Sequence, residues 1–314
     1  MTVAVINELV REFVEPHLPD GIEGRFYTSI DEMLDLAPEA EIGWFDVNEI
    51  PPMIDAVERA GKLRWLNSMY AGLDFLPLDL LQQRGVTITN GTGINAIAIS
   101  EYVLMLMLTH AKGYREVVRA QDRCEWLFDS PGKRELAGSR ALLLGYGAIG
   151  QEVAKRLAGF GVQTTIVRRS ASDDANVIGP DEWRVRLGEF DWIILALPAT
   201  PETEGMIGAS ELSAMKREAV LVNIARGSLI DQAALVTALE DRTIEAALLD
   251  VTEPEPLPKD HLLWQLENAH VTMHLSGRAQ DKMYVRSAER FVDNLQRFIA
   301  GEPMSPIFDP GRGY

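Results

Sequence analysis

The sequence predicts an α/β protein made of two parallel-sheet domains. Three observations carry that expectation. Short β-like runs alternate with helical patterns along nearly the whole chain, as strands do when helices join them and cover both faces of a sheet. The chain has 314 residues, enough for two domains that each bury a core. Two long helical patterns, one near residue 100 and one near residue 285, stand where the chain would cross between domains.

The elements follow in order. In the first series, strands are expected at Val3–Ile6, Arg25–Thr28, Ile42–Phe45, Trp65–Met69 and Val86–Thr89. "PPMIDAVERAG" (51–61) reads as a helix with Pro51 and Pro52 at its start and Gly61 at its end. A long helix is expected from about Asn95 to Arg119, and its register breaks in "DSPGKRELAG" (129–138). The second series places strands at Ala141–Leu144, Thr164–Val167, Trp192–Leu197, Val220–Asn223, Ala246–Asp250 and Val271–His274. The last helix, about Gln280–Ala300, carries an apolar stripe of Ala288, Phe291, Val292, Leu295, Phe298 and Ile299. This reading assigns residues 1–97 and 281–314 to one discontinuous domain and 98–280 to the other.

Composition narrows the function. Hydrophobic content of 46% and charged content of 25% are ordinary globular values. A formal net charge of −17 disfavours a nucleic-acid partner, so any anionic ligand needs positive charge gathered at one place. Cys124 is the single cysteine, which excludes an intrachain disulfide. "MTVAVINELV" lacks a basic segment ahead of an apolar core, and the apolar run Tyr102–Leu108 is too short to cross a bilayer. A cytoplasmic protein without a membrane partner is expected.

"LLLGYGAIGQEVAKRLAGFG" (142–161) sets Gly145, Gly147 and Gly150 between an apolar strand and a helix, with Ala148 and Ile149 inside the turn. Glycines at this spacing permit a tight turn, close backbone approach to a pyrophosphate and close helix–strand packing. The helix N-terminus adds free N–H groups and partial positive charge. The next strand runs into "VRRS" (167–170). Near the usual place of the acid that holds a ribose hydroxyl stand Arg168 and Arg169, followed by Ser170. A guanidinium holds a 2′-phosphate by charge-assisted hydrogen bonds where an acid would repel it. NADP(H) is therefore expected over NAD(H).

Further motifs extend the pattern: "AGLD" (71–74), "NAIAISEYVLMLML" (95–108), "LALPATPETEGMIG" (195–208), "VLVNIARGSLIDQAAL" (220–235), "ALLDVTEPEPLP" (247–258) and "VTMHLSG" (271–277). Together, and in this order, they resemble the D-isomer-specific 2-hydroxyacid dehydrogenases. The resemblance implies two Rossmann-like domains, one flavodoxin-like and one dinucleotide-binding, with a cleft between them, and a homodimer. It implies that Arg226 binds the carboxylate and keto oxygen of a small 2-keto or 2-hydroxy acid, that His274 is the acid–base, and that Glu255 pairs with it. The backbone N–H groups of Ala71 and Gly72 would hold the carboxylate. Leu197, Pro198, Thr203, Ile224, Ala225, Asp250, Ser276 and Gly277 would lie along the cofactor with Arg226 and His274, and Asp250 would hold the nicotinamide carboxamide. Two positions depart from the family: Thr252 stands where Phe is usual and Met273 where Pro is usual.

The residue types fit the chemistry. A planar guanidinium grips a flat carboxylate–carbonyl pair at two points. A histidine delivers a proton near neutral pH, and a carboxylate beside it favours the imidazolium and fixes the ring. Each has a plainer reading as well. Glu253 is two residues from Glu255 in the same proline-rich loop. His270 and His274 are four apart on a strand pattern with no third ligand evident, so no metal is expected. Trp44 and Phe45 could border a pocket or pack in the core. The expected function is an NADPH-preferring reductase of 2-keto acids such as glyoxylate and hydroxypyruvate. The alternatives are an NAD-dependent phosphoglycerate-type dehydrogenase and a nicotinamide-sensing, corepressor-like binding protein.

Overall fold

The computed structural model describes residues 1–73, 75–169, 174–278 and 280–308. The chain divides into two compact units, Met1–Asn95 with Gln280–Tyr314, and Ala96–Ala279.

The first unit holds five strands, β1 (Thr2–Asn7), β2 (Ile22–Tyr27), β3 (Ile42–Trp44), β4 (Trp65–Asn67) and β5 (Thr87–Thr89). All pair in parallel, in the order β2-β1-β3-β4-β5. That is the flavodoxin-like order, whose switch point lies between β1 and β3. Successive residues Ala4, Val5 and Ile6 are all fully buried, because helices cover both faces. On one face Phe291, from the helix Met283–Ala300, stacks on Trp65 at 4.9 Å and packs on Trp44 at 5.1 Å. On the other, Met53, Ala56 and Val57 of the helix Ile50–Arg59 join Val5, Leu66 and Ile88. Trp44 and Phe45 thus lie in the core, 0% and 2% exposed.

The second unit has seven strands: β6 (Arg140–Leu144), β7 (Gln163–Val167), β8 (Val177–Ile178), β9 (Trp192–Leu195), β10 (Val220–Asn223), β11 (Ala246–Leu249) and β12 (Ala269–Val271). They pair in parallel in the order β12-β11-β10-β9-β6-β7-β8. From β6 the chain builds one way to β8, then returns to build the other way from β9. The switch point therefore lies between β6 and β9, where open α/β sheets place their ligands.

Three elements differ from the sequence reading. The helix expected over 95–119 is two helices, Ala96–Ala111 and Tyr114–Asp122. Gly113 separates them at φ +60°, a left-handed conformation that glycine adopts without the usual steric cost. The strand expected over Val271–His274 ends at Val271, since Met273 and His274 both take φ of +56°. The two-residue strand β8 was not anticipated.

His270 lies in β12, its ring 5.8 Å from that of His110, which bonds Glu245 at 2.9 Å. Burial pushes His270 down to about 4, and the charges of Arg115, His110 and Arg119 act in the same direction. The folded protein therefore holds this ring neutral where the unfolded chain protonates it. Stability must fall as pH drops from the ordinary histidine value of 6.5 towards 4. Urea midpoints at pH 6.5 and pH 5 should show His270→Gln losing about 1.5 kcal/mol less than the parent protein over that interval. Equal losses in the two proteins would mean that His270 is not held neutral.

Candidate active site

In the second unit the loops that leave the strands carry the candidate residues. Gly145, after β6, has φ +103°, and a Cβ there would stand 2.3 Å from the Ala196 carbonyl oxygen. A Cβ on Gly150 would stand 2.3 Å from the Gly145 oxygen. These two glycines are required by the turn and by the packing of the helix Ala148–Gly159 onto it. Gly147, the N-cap, would direct a Cβ into open space. It supplies no side-chain cap, so the first-turn amides of Ala148, Ile149 and Gly150 are left for an outside acceptor. An unobstructed, uncapped helix start beside a glycine turn fits a dinucleotide pyrophosphate.

Arg168 and Arg169 leave the end of β7, the first half-buried and the second exposed. The Arg168 amide donates to the Ile178 carbonyl at 3.3 Å. Glu202, in the loop after β9, has its carboxyl lowered first by the Thr200 hydroxyl and further by the charge of Arg169. In that loop the Thr203 hydroxyl donates to the Pro198 carbonyl at 2.9 Å and accepts the Thr200 amide at 2.8 Å. Leu197 anchors it to the core. Ser170 lies outside the described residues.

After β10, Ile224 is buried and Ala225 half-buried, and Arg226 is exposed. Asn223 shapes this loop: its Nδ2 donates to the Arg226 carbonyl at 2.8 Å and its Oδ1 accepts the Ala225 amide at 3.0 Å. The Arg226 Nη1 donates to the Ala225 carbonyl at 2.8 Å. Gly227 lets this loop meet the next one, since a Cβ there would lie 2.1 Å from the Thr252 backbone.

That next loop presents Glu255. Its Oε1 accepts the Thr252 amide at 3.1 Å, and its Oε2 meets His274 Nδ1 at 2.8 Å. Glu253 is held differently. Gln232 clasps its backbone from both sides, donating to the carbonyl at 2.7 Å and accepting from the amide at 3.1 Å. Of the two acids in the loop, Glu255 is the one that meets the imidazole. Thr252 is buried at the phenylalanine-type position, and its hydroxyl donates to the Pro254 carbonyl at 3.2 Å.

His274 is carried by a turn that Asp250 organises. The Asp250 carboxylate is 1% exposed and accepts from the Thr272 hydroxyl at 2.8 Å and from the amides of Leu275 and Ser276 at 3.0 and 3.2 Å. Its carbonyl accepts the His274 amide at 2.5 Å. Asp250, expected to hold the nicotinamide carboxamide, thus braces this turn. These bonds hold two adjacent left-handed residues in place. They also account for Met273, because proline, fixed near φ −65°, cannot adopt +56°. Ser276 is buried and Gly277 half-buried in the same turn. With Nδ1 on Glu255 and the His274 side chain 49% exposed, Nε2 is the nitrogen left for a substrate. His270 remains in β12, its ring against that of His110.

In the first unit, Ala71 is exposed and Gly72 half-buried after β4. Their amides have no hydrogen-bond partner among the described residues, whereas the Ala71 carbonyl accepts Asn90 Nδ2 at 2.6 Å. Asp74 lies outside the described residues.

A parallel sheet with a glycine turn at its switch point, and a histidine–carboxylate pair beyond its strand ends, defines a nicotinamide-dependent oxidoreductase. The model of the "D-isomer specific 2-hydroxyacid dehydrogenase, NAD binding domain" family matches residues 104–276. The chain belongs to the D-isomer-specific 2-hydroxyacid dehydrogenase family and is an NAD(P)-dependent enzyme. It is 31% identical over 312 residues to a glycerate dehydrogenase of Methylorubrum extorquens, covering 96% of each chain. It is similar to the crystal structure of a family protein from Aeromonas salmonicida, with a TM-score of 0.86, 30% identity and 98% of each chain covered. It is also similar to an NADPH-dependent glyoxylate/hydroxypyruvate reductase of Sinorhizobium meliloti in complex with NADP and sulfate. There the TM-score is 0.77 and the identity 25%, over 100% of this chain and 99% of that one.

Proposed function

We propose that the protein is a cytoplasmic, homodimeric, NADPH-preferring reductase that converts small 2-keto acids of the glyoxylate and hydroxypyruvate type to D-2-hydroxy acids. The observation that carries the reading is the 2.8 Å contact between His274 and Glu255, with the other face of the imidazole open. In this reading the glycine turn, the amides of Ala148–Gly150 and the loops at Leu197–Thr203 and Ile224–Ala225 hold the cofactor. When bound, it supplies the hydride for C2 of the substrate. His274 Nε2 gives a proton to the carbonyl oxygen while Glu255 steadies the Nδ1 proton. Arg226 grips the carboxylate and keto oxygen, and the amides of Ala71 and Gly72 donate to the carboxylate. Asp250 contributes by fixing the turn of His274. Trp126 and Phe128, 82% and 96% exposed, offer an apolar surface for the homodimer, which sedimentation equilibrium would test.

NADPH preference rests on Arg168 and Arg169 at the end of β7. Two charge-assisted contacts to the 2′-phosphate are worth about 3 kcal/mol or more together. Arg168→Asp combined with Arg169→Ala should weaken NADPH by roughly a hundredfold and affect NADH far less. Fluorescence titration with each nucleotide measures this. A parent protein that binds NADH more tightly would overturn the cofactor assignment. A panel of 2-keto acids assayed with both nucleotides tests the substrate class, and absence of turnover of glyoxylate and hydroxypyruvate would overturn it.

A further inference from the structure

We infer that Asp46 is a positioning residue for substrate, holding the Ser68–Gly72 loop so that the Ala71 and Gly72 amides face outward. The inference rests on the reading that these amides bind the substrate carboxylate.

Asp46 follows β3, beside the switch point between β1 and β3, and is 6% exposed. Its two oxygens collect three donors. Oδ1 accepts the Ser68 hydroxyl at 2.8 Å, and Oδ2 accepts the Met69 amide at 2.6 Å and the Trp44 indole N–H at 2.8 Å. Ser68 passes the constraint on, since its Oγ accepts the Tyr70 amide at 3.1 Å. The amides of residues 69 and 70 are therefore used inside the unit, and those of 71 and 72 have no partner among the described residues. The carboxylate is itself pinned. Its backbone carbonyl accepts Asn7 Nδ2 from the end of β1 at 2.8 Å and the Tyr27 hydroxyl at 3.2 Å.

The rest of the loop is tied to neighbouring segments. The Tyr70 hydroxyl donates to the Val47 carbonyl at 3.0 Å, and the Gly91 amide donates to the Tyr70 carbonyl at 2.8 Å. Gly91 cannot carry a side chain, because a Cβ would fall 1.8 Å from the Met69 oxygen. A buried acid with no ion-pair partner among the described residues is costly to keep, and such groups are retained where a network uses every lone pair. Asn at position 46 has one acceptor oxygen and one donor group. It can serve Trp44 and Met69, but it turns an N–H towards the Ser68 hydroxyl. That hydroxyl must then stop donating to position 46 while still accepting from Tyr70.

A second consequence concerns pH. Burial pushes the Asp46 carboxyl up to about 6, against the Met69 amide, the Ser68 hydroxyl and the Trp44 N–H, which favour the charged form. The titratable side chains that face it are Tyr27, itself raised by burial and by the charge of Asp46, and Tyr70 behind Ser68. No Lys, Arg or His among the described residues contacts it. Below about pH 6 the carboxyl gains a proton and loses an acceptor, so the loop loosens. The KM of the keto acid should then rise as pH falls through that value, with the nucleotide Kd unchanged.

Steady-state kinetics with glyoxylate at saturating NADPH, from pH 7.5 to pH 5, test this. The parent KM is expected to climb several-fold below about pH 6. Asp46→Asn is expected to have a KM about tenfold higher throughout, without that climb, and an unchanged NADPH Kd. Ala71→Pro deletes one of the two amides and examines the carboxylate reading by itself. If Ala71→Pro leaves KM unchanged, that reading fails and the inference falls with it. If Ala71→Pro raises KM while Asp46→Asn matches the parent in KM and pH profile, the reading stands and the role of Asp46 is overturned. Should Asp46→Asn fail to fold, a flat parent KM across the whole range would overturn it equally.

Discussion

His274→Ala is expected to lower kcat for 2-keto acid reduction by about a thousandfold, within the range that a positioned acid contributes, while NADPH still binds. The expectation follows from where the ring is held. Nδ1 faces Glu255 at 2.8 Å, the amide of His274 is fixed on the Asp250 carbonyl, and the exposed edge carries Nε2. Nothing else in the turn from Thr272 to Gly277 can deliver a proton near neutral pH. Glu255→Gln separates positioning from charge. Glutamine keeps the size and can still bond the ring, but it replaces a charge-assisted hydrogen bond with a weaker neutral one. In Glu255→Gln kcat should fall about tenfold or more, with the NADPH Kd unchanged. Glu253→Gln serves as the control, because Gln232 engages the Glu253 backbone, which the substitution keeps. A lowered kcat in Glu253→Gln with a parental one in Glu255→Gln would reverse the assignment. Parental kcat in both would remove the pair from the chemistry.

Much of this architecture is legible in the sequence because it depends on local pattern. Apolar runs such as Leu142–Leu144 and Val220–Val222 are buried on both faces and read as strands wherever they stand. The glycine turn is legible for a similar reason: each of its constraints acts within one strand–turn–helix unit or against the adjacent strand. The break at Gly113 is harder, because a lone glycine inside a helical pattern is usually tolerated. Here a Cβ would stand 2.8 Å from the Gly132 amide, a contact nineteen positions away. Composition does not choose between Glu253 and Glu255, since each acid precedes a proline in one loop and the path of the backbone decides which faces His274. The same holds for the supporting groups. Asn223, Gln232 and Thr272 look like ordinary polar residues until the loops that they brace are brought together. Asn223 alone carried a signal, standing immediately before the segment that presents Arg226. Asp46 carried none that separates it from the other acids, and its burial is a property of the sheet rather than of its neighbours in sequence.

Arg226→Lys is expected to lower kcat/KM by a hundredfold or more, although the charge is kept. The loop holds Arg226 by its backbone, through Asn223, and by one guanidinium nitrogen, Nη1, on the Ala225 carbonyl. The rest of the planar fork is then presented in a fixed direction, suited to a carboxylate and an adjacent keto oxygen lying in one plane. Lysine offers a single flexible ammonium that cannot bond the Ala225 carbonyl and two substrate oxygens in that plane. Losing one charge-assisted hydrogen bond costs about 1.5–3 kcal/mol, which corresponds to roughly ten- to a hundredfold. Poor orientation of the keto group should add to this in kcat, because polarisation of the carbonyl grows as the reaction proceeds. Both parameters should therefore change, KM through the carboxylate and kcat through the keto oxygen, while the NADPH Kd stays within error. Arg226→Ala should be weaker still and should recover part of its rate when guanidinium is added to the assay, as a side chain acting by its own hydrogen bonds would. A damaged loop would behave otherwise: nucleotide binding would fall with turnover, and guanidinium would restore nothing. Near-parental kcat/KM in Arg226→Lys would place the substrate anion on other groups.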